Sequence, residues 1–252
     1  MSEWSVTELM AVVMSREFRD GEVVVMGAVP ALPMAACRLA RATHAPNLEF
    51  IVGGSGTVSP EPDRLPLGSC GGDLAPAATT LPLPDVVLLE GRGDAFDVFC
   101  AGGLQIDAHG NCNLICVGEW ERPKLRGPGT VGLPFLPNTK RSILYTQSHT
   151  PRTFVERVDF VSGPGHPTGS DEERPYRKEG PSLVVTPLAT LDFDDSGRMR
   201  LRSVHPGVAP QDVYAATGFE LAPGPEPTTT PPPTDEELAV LRSFDPDGIL
   251  RR

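Results

Sequence analysis

The sequence predicts a mixed α/β fold whose sheet begins parallel and ends antiparallel. Three observations predict it. Residues 22–52 run apolar strand, helix, apolar strand, the order that yields a parallel pair joined by a right-handed crossover. The early strand segments are short apolar runs that stop at glycines, Gly27 and Gly53. Beyond Arg141, strand-like segments follow one another closely, with Asp195-Ser196-Gly197 turning between two of them, as antiparallel neighbours allow.

Taken in order, Ser5-Val6-Thr7-Glu8 has the pattern of a capping box, and Leu9, Val12, Val13 and Met14 follow at helical spacing. Asp20-Gly21 ends that helix, and Glu22 to Gly27 is a buried strand. Pro33 to Thr43 is a second helix, with Met34, Cys37, Leu39 and Ala40 on its apolar side, and Asn47 to Val52 the next strand. Thr57 to Pro84 is rich in Gly, Pro and Ser and reads as an irregular surface excursion with a short helix near Leu74–Ala78. Val86 to Glu90 fits helix or strand. Asp97 to Ala101 is a buried strand, His109-Gly110-Asn111 a hairpin-type turn, and Asn113 to Val117 a strand. Further strands are expected at Arg141–Thr146, Phe154–Val161, Ser182–Thr186, Thr190–Asp194 and Met199–Val204, with a mobile loop at Gly163–Pro181. Gln211–Thr217 is a helix, Pro223–Pro233 an extended Pro/Thr linker, and Asp235–Ser243 an amphipathic helix capped by Thr234 or Asp235. No repeat and no clear internal break is visible, so residues 1–252 are expected to form one domain. Residues 223–252 supply a Pro-rich segment and a helix that packs on it or on a partner.

Composition narrows the function classes. With 39% hydrophobic and 22% charged residues, the chain can bury a core. A net charge of -11 disfavours nucleic acid and anionic membrane as partners. No apolar run approaches the ~20 residues of a membrane span. Met1-Ser2-Glu3-Trp4-Ser5 lacks the basic and apolar regions of a secretory signal, so a cytoplasmic protein is expected. The odd set Cys37, Cys70, Cys100, Cys112 and Cys116 reads as buried thiols rather than a disulfide framework. Cys112 and Cys116 lack a second ligand pair at metal spacing, so no metal site is expected.

Two glycine-rich stretches stand out. Leu48 to Gly56 is a strand that runs into Gly53-Gly54-Ser55-Gly56, where backbone can approach a ligand closely or simply turn. Arg126-Gly127-Pro128-Gly129-Thr130-Val131-Gly132 is preceded by Arg122 and Lys124, so basic side chains stand beside backbone donors. Gln105 follows a buried run and is either a pocket hydrogen-bonder or a clip. Asn111 reads as a turn residue, and His44 and His205 as structural.

Several stretches, in this order, resemble the beta subunit of class I coenzyme A transferases: Arg19-Asp20-Gly21-Glu22, Thr43-His44-Ala45-Pro46-Asn47-Leu48, and Gly102-Gly103-Leu104-Gln105-Ile106-Asp107-Ala108-His109-Gly110-Asn111, which is similar to the family's G-A-x-Q-V-D-x-x-G-N. Phe160 to Gly165, His205-Pro206-Gly207-Val208, Ala216 to Leu221 and Asp245-Pro246-Asp247-Gly248 continue the likeness. The resemblance implies an open three-layer α/β/α sandwich and an active site shared with an alpha subunit, two of each forming a heterotetramer. It also implies a nucleophilic Glu in a strand-ending turn. That turn maps to Val52-Gly53-Gly54, and no carboxylate occurs from Ile51 to Ser55. Glu49 lies inside the strand and would need a bulge to take the place. Glycine and valine form no covalent acyl or CoA adduct.

One branch of the family has lost that Glu and opens the last carbocyclic ring of a steroid (cholesterol) keto acyl-CoA with water. Membership of that branch implies a catalytic base on the alpha subunit. The expected substrate pocket is Val52, Gly53, Gly54, Ser55 and Gln105. Lys124, Arg126, Gly127, Gly129, Thr130 and Gly132 would bind CoA or an oxyanion, with Pro128 removing one donor. No cofactor is implied beyond the CoA of the substrate. The alternatives are a CoA transferase using Glu49 or a partner carboxylate, and a non-catalytic scaffold for the alpha chain.

Overall fold

A computed structural model describes residues 4–27, 29–69, 74, 76–130, 132–168 and 180–252. Two compact units are present, residues 1–100 with 232–252, and residues 101–231.

In the first unit, helix α1 (Val6–Glu17) opens with the expected capping box. Glu8 N donates to Ser5 Oγ at 3.0 Å, and Ser5 N donates to the Glu8 carboxylate at 2.8 Å. Strand β1 (Val23–Met26), helix α2 (Ala31–Thr43) and strand β2 (Glu49–Val52) form the β-α-β unit. The pair is parallel, Val23 opposite Glu49 and Met26 opposite Val52. Strands β3 (Thr57–Val58) and β4 (Thr79–Thr80) add an antiparallel edge beyond β2. Helix α3 (Leu83–Arg92) ends at Gly93, whose φ of 77° is the left-handed conformation that glycine adopts freely. Strand β5 (Val98–Ala101) lies parallel to β1 on its other side. The C-terminal helix, α5 (Asp235–Ser243), is capped by Thr234 and packs on α1 and α2. Arg242 Nε donates to Glu8 at 2.7 Å and Arg16 pairs with Glu237 at 2.7 Å.

The motifs carrying the resemblance at 19–22 and 43–48 meet in this unit. Asn47 donates from its backbone and side-chain nitrogens to Asp20, at 2.7 and 2.9 Å.

In the second unit, β6 (Gln105–Asp107) pairs with β7 (Cys112–Asn113) and with β11 (Phe154–Val155), and β8 (Cys116–Val117) pairs with β9 (Leu125–Arg126). A 3-10 helix covers Leu133–Asn138. Strand β10 (Arg141–Tyr145) is parallel to β12 (Pro181–Val185), and β13 (Ala189–Phe193) is antiparallel to β12 and to β14 (Met199–Val204). Helix α4 spans Pro210–Ala216.

Four expectations need correction or resolution. Val86–Glu90 is helical. The strand expected at Asn113–Val117 is two short strands, because the Asn113 side-chain carbonyl accepts from Ile115 N and Cys116 N and turns the chain locally. The strand expected to reach Val161 stops at Val155. Beyond it, Val158 N and Asp159 N donate to the side chains of Asp107 and Gln105 instead of to a neighbouring strand. The Pro/Thr stretch is more than a linker, since β15 (Thr228–Thr229) pairs in parallel with β14. The helix expected near Leu74–Ala78 and the loop at Gly163–Pro181 fall partly outside the described residues, as does Cys70. Cys37, Cys100, Cys112 and Cys116 are buried free thiols, and burial pushes Cys112 up to about 12.

Candidate active site

Parallel strands β1 and β2 finish level at Met26 and Val52, so their carboxyl ends form one edge. At such an edge α/β sheets bind ligands. The chain leaves β2 through Gly53, Gly54 and Ser55, all half-exposed. The turn closes on itself: Ser55 N and Gly56 N both donate to Val52 O, at 3.2 and 2.8 Å, and Gly53 N donates to Met26 O at 2.9 Å. The Ser55 hydroxyl contacts Thr57 Oγ1 at 2.8 Å. The N–H groups of residues 53, 55 and 56 are therefore engaged within the fold. Residues 53 and 54 are half-exposed and put no side chain over this edge. Gly56 is required by the fold: its φ is +70°, and a Cβ there would collide with the backbone of Leu81.

A carboxylate does stand at this edge, and it comes from α3. A Cβ built on Gly53 would lie 3.5 Å from Glu90 Oε1 and 3.1 Å from Met26 O. Glu90 is only 6% exposed, and desolvation raises its pKa to about 7. Glu49 is at the other end of β2, where its carboxylate accepts the Ser59 hydroxyl. Four residues of strand, roughly 13 Å, separate it from the glycine turn.

The remaining predicted site residues are in the second unit. Gln105 is a buried clip: its carbonyl accepts from Asn113 Nδ2 at 2.7 Å and Asp159 N at 3.1 Å, and its amide donates to Asp159 at 3.0 Å. Both polar atoms of the Gln105 side chain are thus engaged within the second unit. Lys124 and Arg126 are exposed on the β8–β9 ribbon. The Arg126 guanidinium sits 5.0 Å over the Trp120 ring, and Trp120 stacks on Phe160 at 5.5 Å. Gly127 N and Gly129 N donate to Ile115 O and Leu114 O, so neither is a ready oxyanion donor. Thr130 and Gly132 flank the start of the 3-10 helix, half-exposed.

Asp107 anchors the best-matched motif, accepting from His109 N and Asn111 N at 3.0 Å each. His205 is buried between Thr230 Oγ1 and Thr186 O, which fits its structural reading. His44 contacts Phe18 O at 3.2 Å.

Two notable groups escaped the sequence. His149 is buried between Thr186 and Thr217 and stacked on Phe154, with its pKa lowered to about 4, chiefly by desolvation. Glu90 escaped because α3 is turned against its own composition. Val86 and Glu90 face inward while Leu83, Val87 and Leu88 face out.

A beta subunit of the coenzyme A transferase kind is the class this fold matches. The Coenzyme A transferase family model matches residues 7–216, and the chain belongs to that family. The B subunit of 3-oxoadipate CoA-transferase from Pseudomonas knackmussii is 31% identical, over 97% of this chain and 95% of its own length. The cholesterol ring-cleaving hydrolase IpdB subunit of Rhodococcus jostii is 30% identical, over 100% and 97%. The solved Rhodococcus jostii IpdAB superposes with a TM-score of 0.83 at 28% identity, over 100% of this chain and 98% of its own. Glutaconate coenzyme A-transferase from Acidaminococcus fermentans gives a TM-score of 0.88 at 27% identity, over 99% and 98%. The beta-subunit resemblance and the α/β fold read from the sequence both hold.

Proposed function

We propose that this chain is the beta subunit of a hydrolase that opens the last carbocyclic ring of a steroid-derived keto acyl-CoA by adding water. The observation that carries the proposal is the turn after β2. It presents only glycine hydrogens and the Ser55 hydroxyl, with Glu49 tied to Ser59 at the far end of the strand. A transferase of this family needs a carboxylate projecting from that turn to hold acyl and CoA adducts, and the turn carries none; Glu90, which stands beside it, comes from α3 and is buried. An open turn leaves room for a ring instead. The reaction is a retro-Claisen cleavage, which requires a base for water and stabilisation of the developing oxyanions.

No cofactor enters beyond the substrate's own CoA, and Lys124 and Arg126 are the basic side chains proposed to bind it. The partner is an alpha subunit, two copies of each making the working enzyme in the cytoplasm. The exposed side of α3 suits that partner: Leu83, Val87 and Leu88 are 57%, 41% and 68% exposed. Apolar surface of this kind marks association sites. Among the described residues no helix is long and apolar enough to cross a membrane.

Coenzyme A transfer is the second reading, favoured by the 31% identity to a transferase of the family. The test uses the complex of this chain with its alpha partner. A cyclohexanone bearing the CoA thioester beside the ketone should open with one oxygen taken from labelled water. CoA transfer from acetyl-CoA to an added carboxylate, together with a borohydride-trapped glutamate in this chain, would replace hydrolysis by transfer.

A further inference from the structure

Glu90 is the buried carboxylate to which the reading above gives no role. It emerges from α3 at the carboxyl edge of β1 and β2, with Oε1 3.5 Å from the position a Gly53 side chain would take. Gly53 is half-exposed and has no side chain beside this carboxyl. Val86, four residues earlier, shares the buried face, and the helix ends two residues later at Arg92, so the backbone fixes where Glu90 points.

We propose that Glu90 is the proton donor of the site, delivering a proton to the α-carbon of the thioester enolate. The proposal rests on the ring-opening reading. In that reaction a base outside Glu90 takes one proton from water. The oxygen bonds to the ring ketone carbon, and the carbon–carbon bond breaks with its electron pair moving to the thioester α-carbon as an enolate. The Glu90 carboxyl protonates that carbon and becomes a carboxylate. The proton first taken from water returns to Glu90 through solvent, so one water is consumed and both the base and Glu90 recover their starting states. Burial suits Glu90 to this role, because desolvation holds its proton up to about pH 7 and the acid form is populated at neutral pH.

Protonation of the α-carbon is reversible, so the same group must catalyse its deprotonation. The holo complex of this chain and its alpha partner is incubated in deuterium oxide with pimeloyl-CoA, a linear ω-carboxy thioester, and with the cyclic keto thioester in parallel. The wild type should wash deuterium into the α-carbon, and Glu90→Gln should lose both exchange and ring opening by at least about a hundredfold with KM held within about threefold. Glu90→Asp should recover part of both. A Glu90→Gln complex that exchanges at the wild-type rate overturns the assignment, as does a wild type that exchanges nothing. A wild type that exchanges but opens no ring removes the ring-opening reading alone and leaves Glu90 as the α-carbon acid. Melting of Glu90→Gln at or above the wild-type temperature at pH 8 confirms that it folds.

Discussion

The Ser59 hydroxyl donates to the carboxylate of Glu49 at the amino end of β2, the end opposite the glycine turn. Ser59 is held for that contact in an unusual conformation, with φ at 44° and its N–H donating to Phe50 O at 2.6 Å. The contact makes Glu49 an edge clip. Glu49→Gln should keep turnover within about twofold of the wild type and cost about 1 kcal/mol of stability, read by denaturant unfolding. A hundredfold loss of turnover would return Glu49 to the chemistry.

A side chain at Gly53 would fit only tightly. A Cβ there meets Met26 O at 3.1 Å, a backbone atom that can yield only a few tenths of an ångström. Gly53→Glu would also set a second carboxyl against Glu90, and two adjacent carboxylates resist ionising together. Turnover should fall at least tenfold while the complex still assembles, measured by ring opening and by size-exclusion chromatography. Undiminished ring opening would place the substrate elsewhere.

Glu90 makes stability depend on pH in a direction unusual for a carboxylate. Its folded pKa, about 7, exceeds the ordinary 4.5, so the folded chain holds a proton that the unfolded chain releases between these values. Stability contributed by the neutral form is therefore full below pH 4.5 and is lost as pH rises through 7. The whole effect is at most roughly 3 kcal/mol. Glu90→Gln should be more stable than the wild type at pH 8 and no more stable at pH 4.5, by urea unfolding at both.

His149 works the other way. Its pKa falls from 6.5 to about 4, so the unfolded chain binds a proton that the folded one refuses. Stability is full above pH 6.5 and declines as pH falls toward 4, by up to roughly 3 kcal/mol. Replacing it with the neutral His149→Gln should flatten that acid decline while lowering stability at pH 7.5. An unchanged acid slope would show that another group governs it.

The outward face of α3 should govern assembly. Leu88 is 68% exposed, so Leu88→Glu leaves the fold intact but puts a charge into any contact made there. The dissociation constant for the alpha subunit should rise at least tenfold, about 1.4 kcal/mol. Equal affinities, measured by calorimetry, would move the interface to another surface.

The β-α-β start, the first capping box, the cap at Thr234 and the strands Arg141–Tyr145, Pro181–Val185, Ala189–Phe193 and Met199–Val204 were legible because local pattern and final environment agree there. Ser5 with Glu8 and Thr234 with Glu237 are contacts three residues apart. The absence of a carboxylate from the turn after Val52 was equally plain, since it needs only the residue names. Tertiary structure decided what stands in that space. The helix at Leu83–Arg92 exposes Leu83, Val87 and Leu88 and buries Glu90 beside Val86, against what hydrophobic periodicity expects, because the face carrying Glu90 meets the sheet edge. It also decided that Gln105 and the glycine N–H groups are engaged internally, and that His149 is enclosed between two threonines. The settings of Gln105 and His149 depend on distant partners, Asp159 54 positions away for Gln105 and Thr186 and Thr217 37 and 68 positions away for His149. Periodicity reports only which face of a segment is apolar. It carries no record of what that face will meet, so burial, proton affinity and free donor count emerge only when the chain has closed on itself.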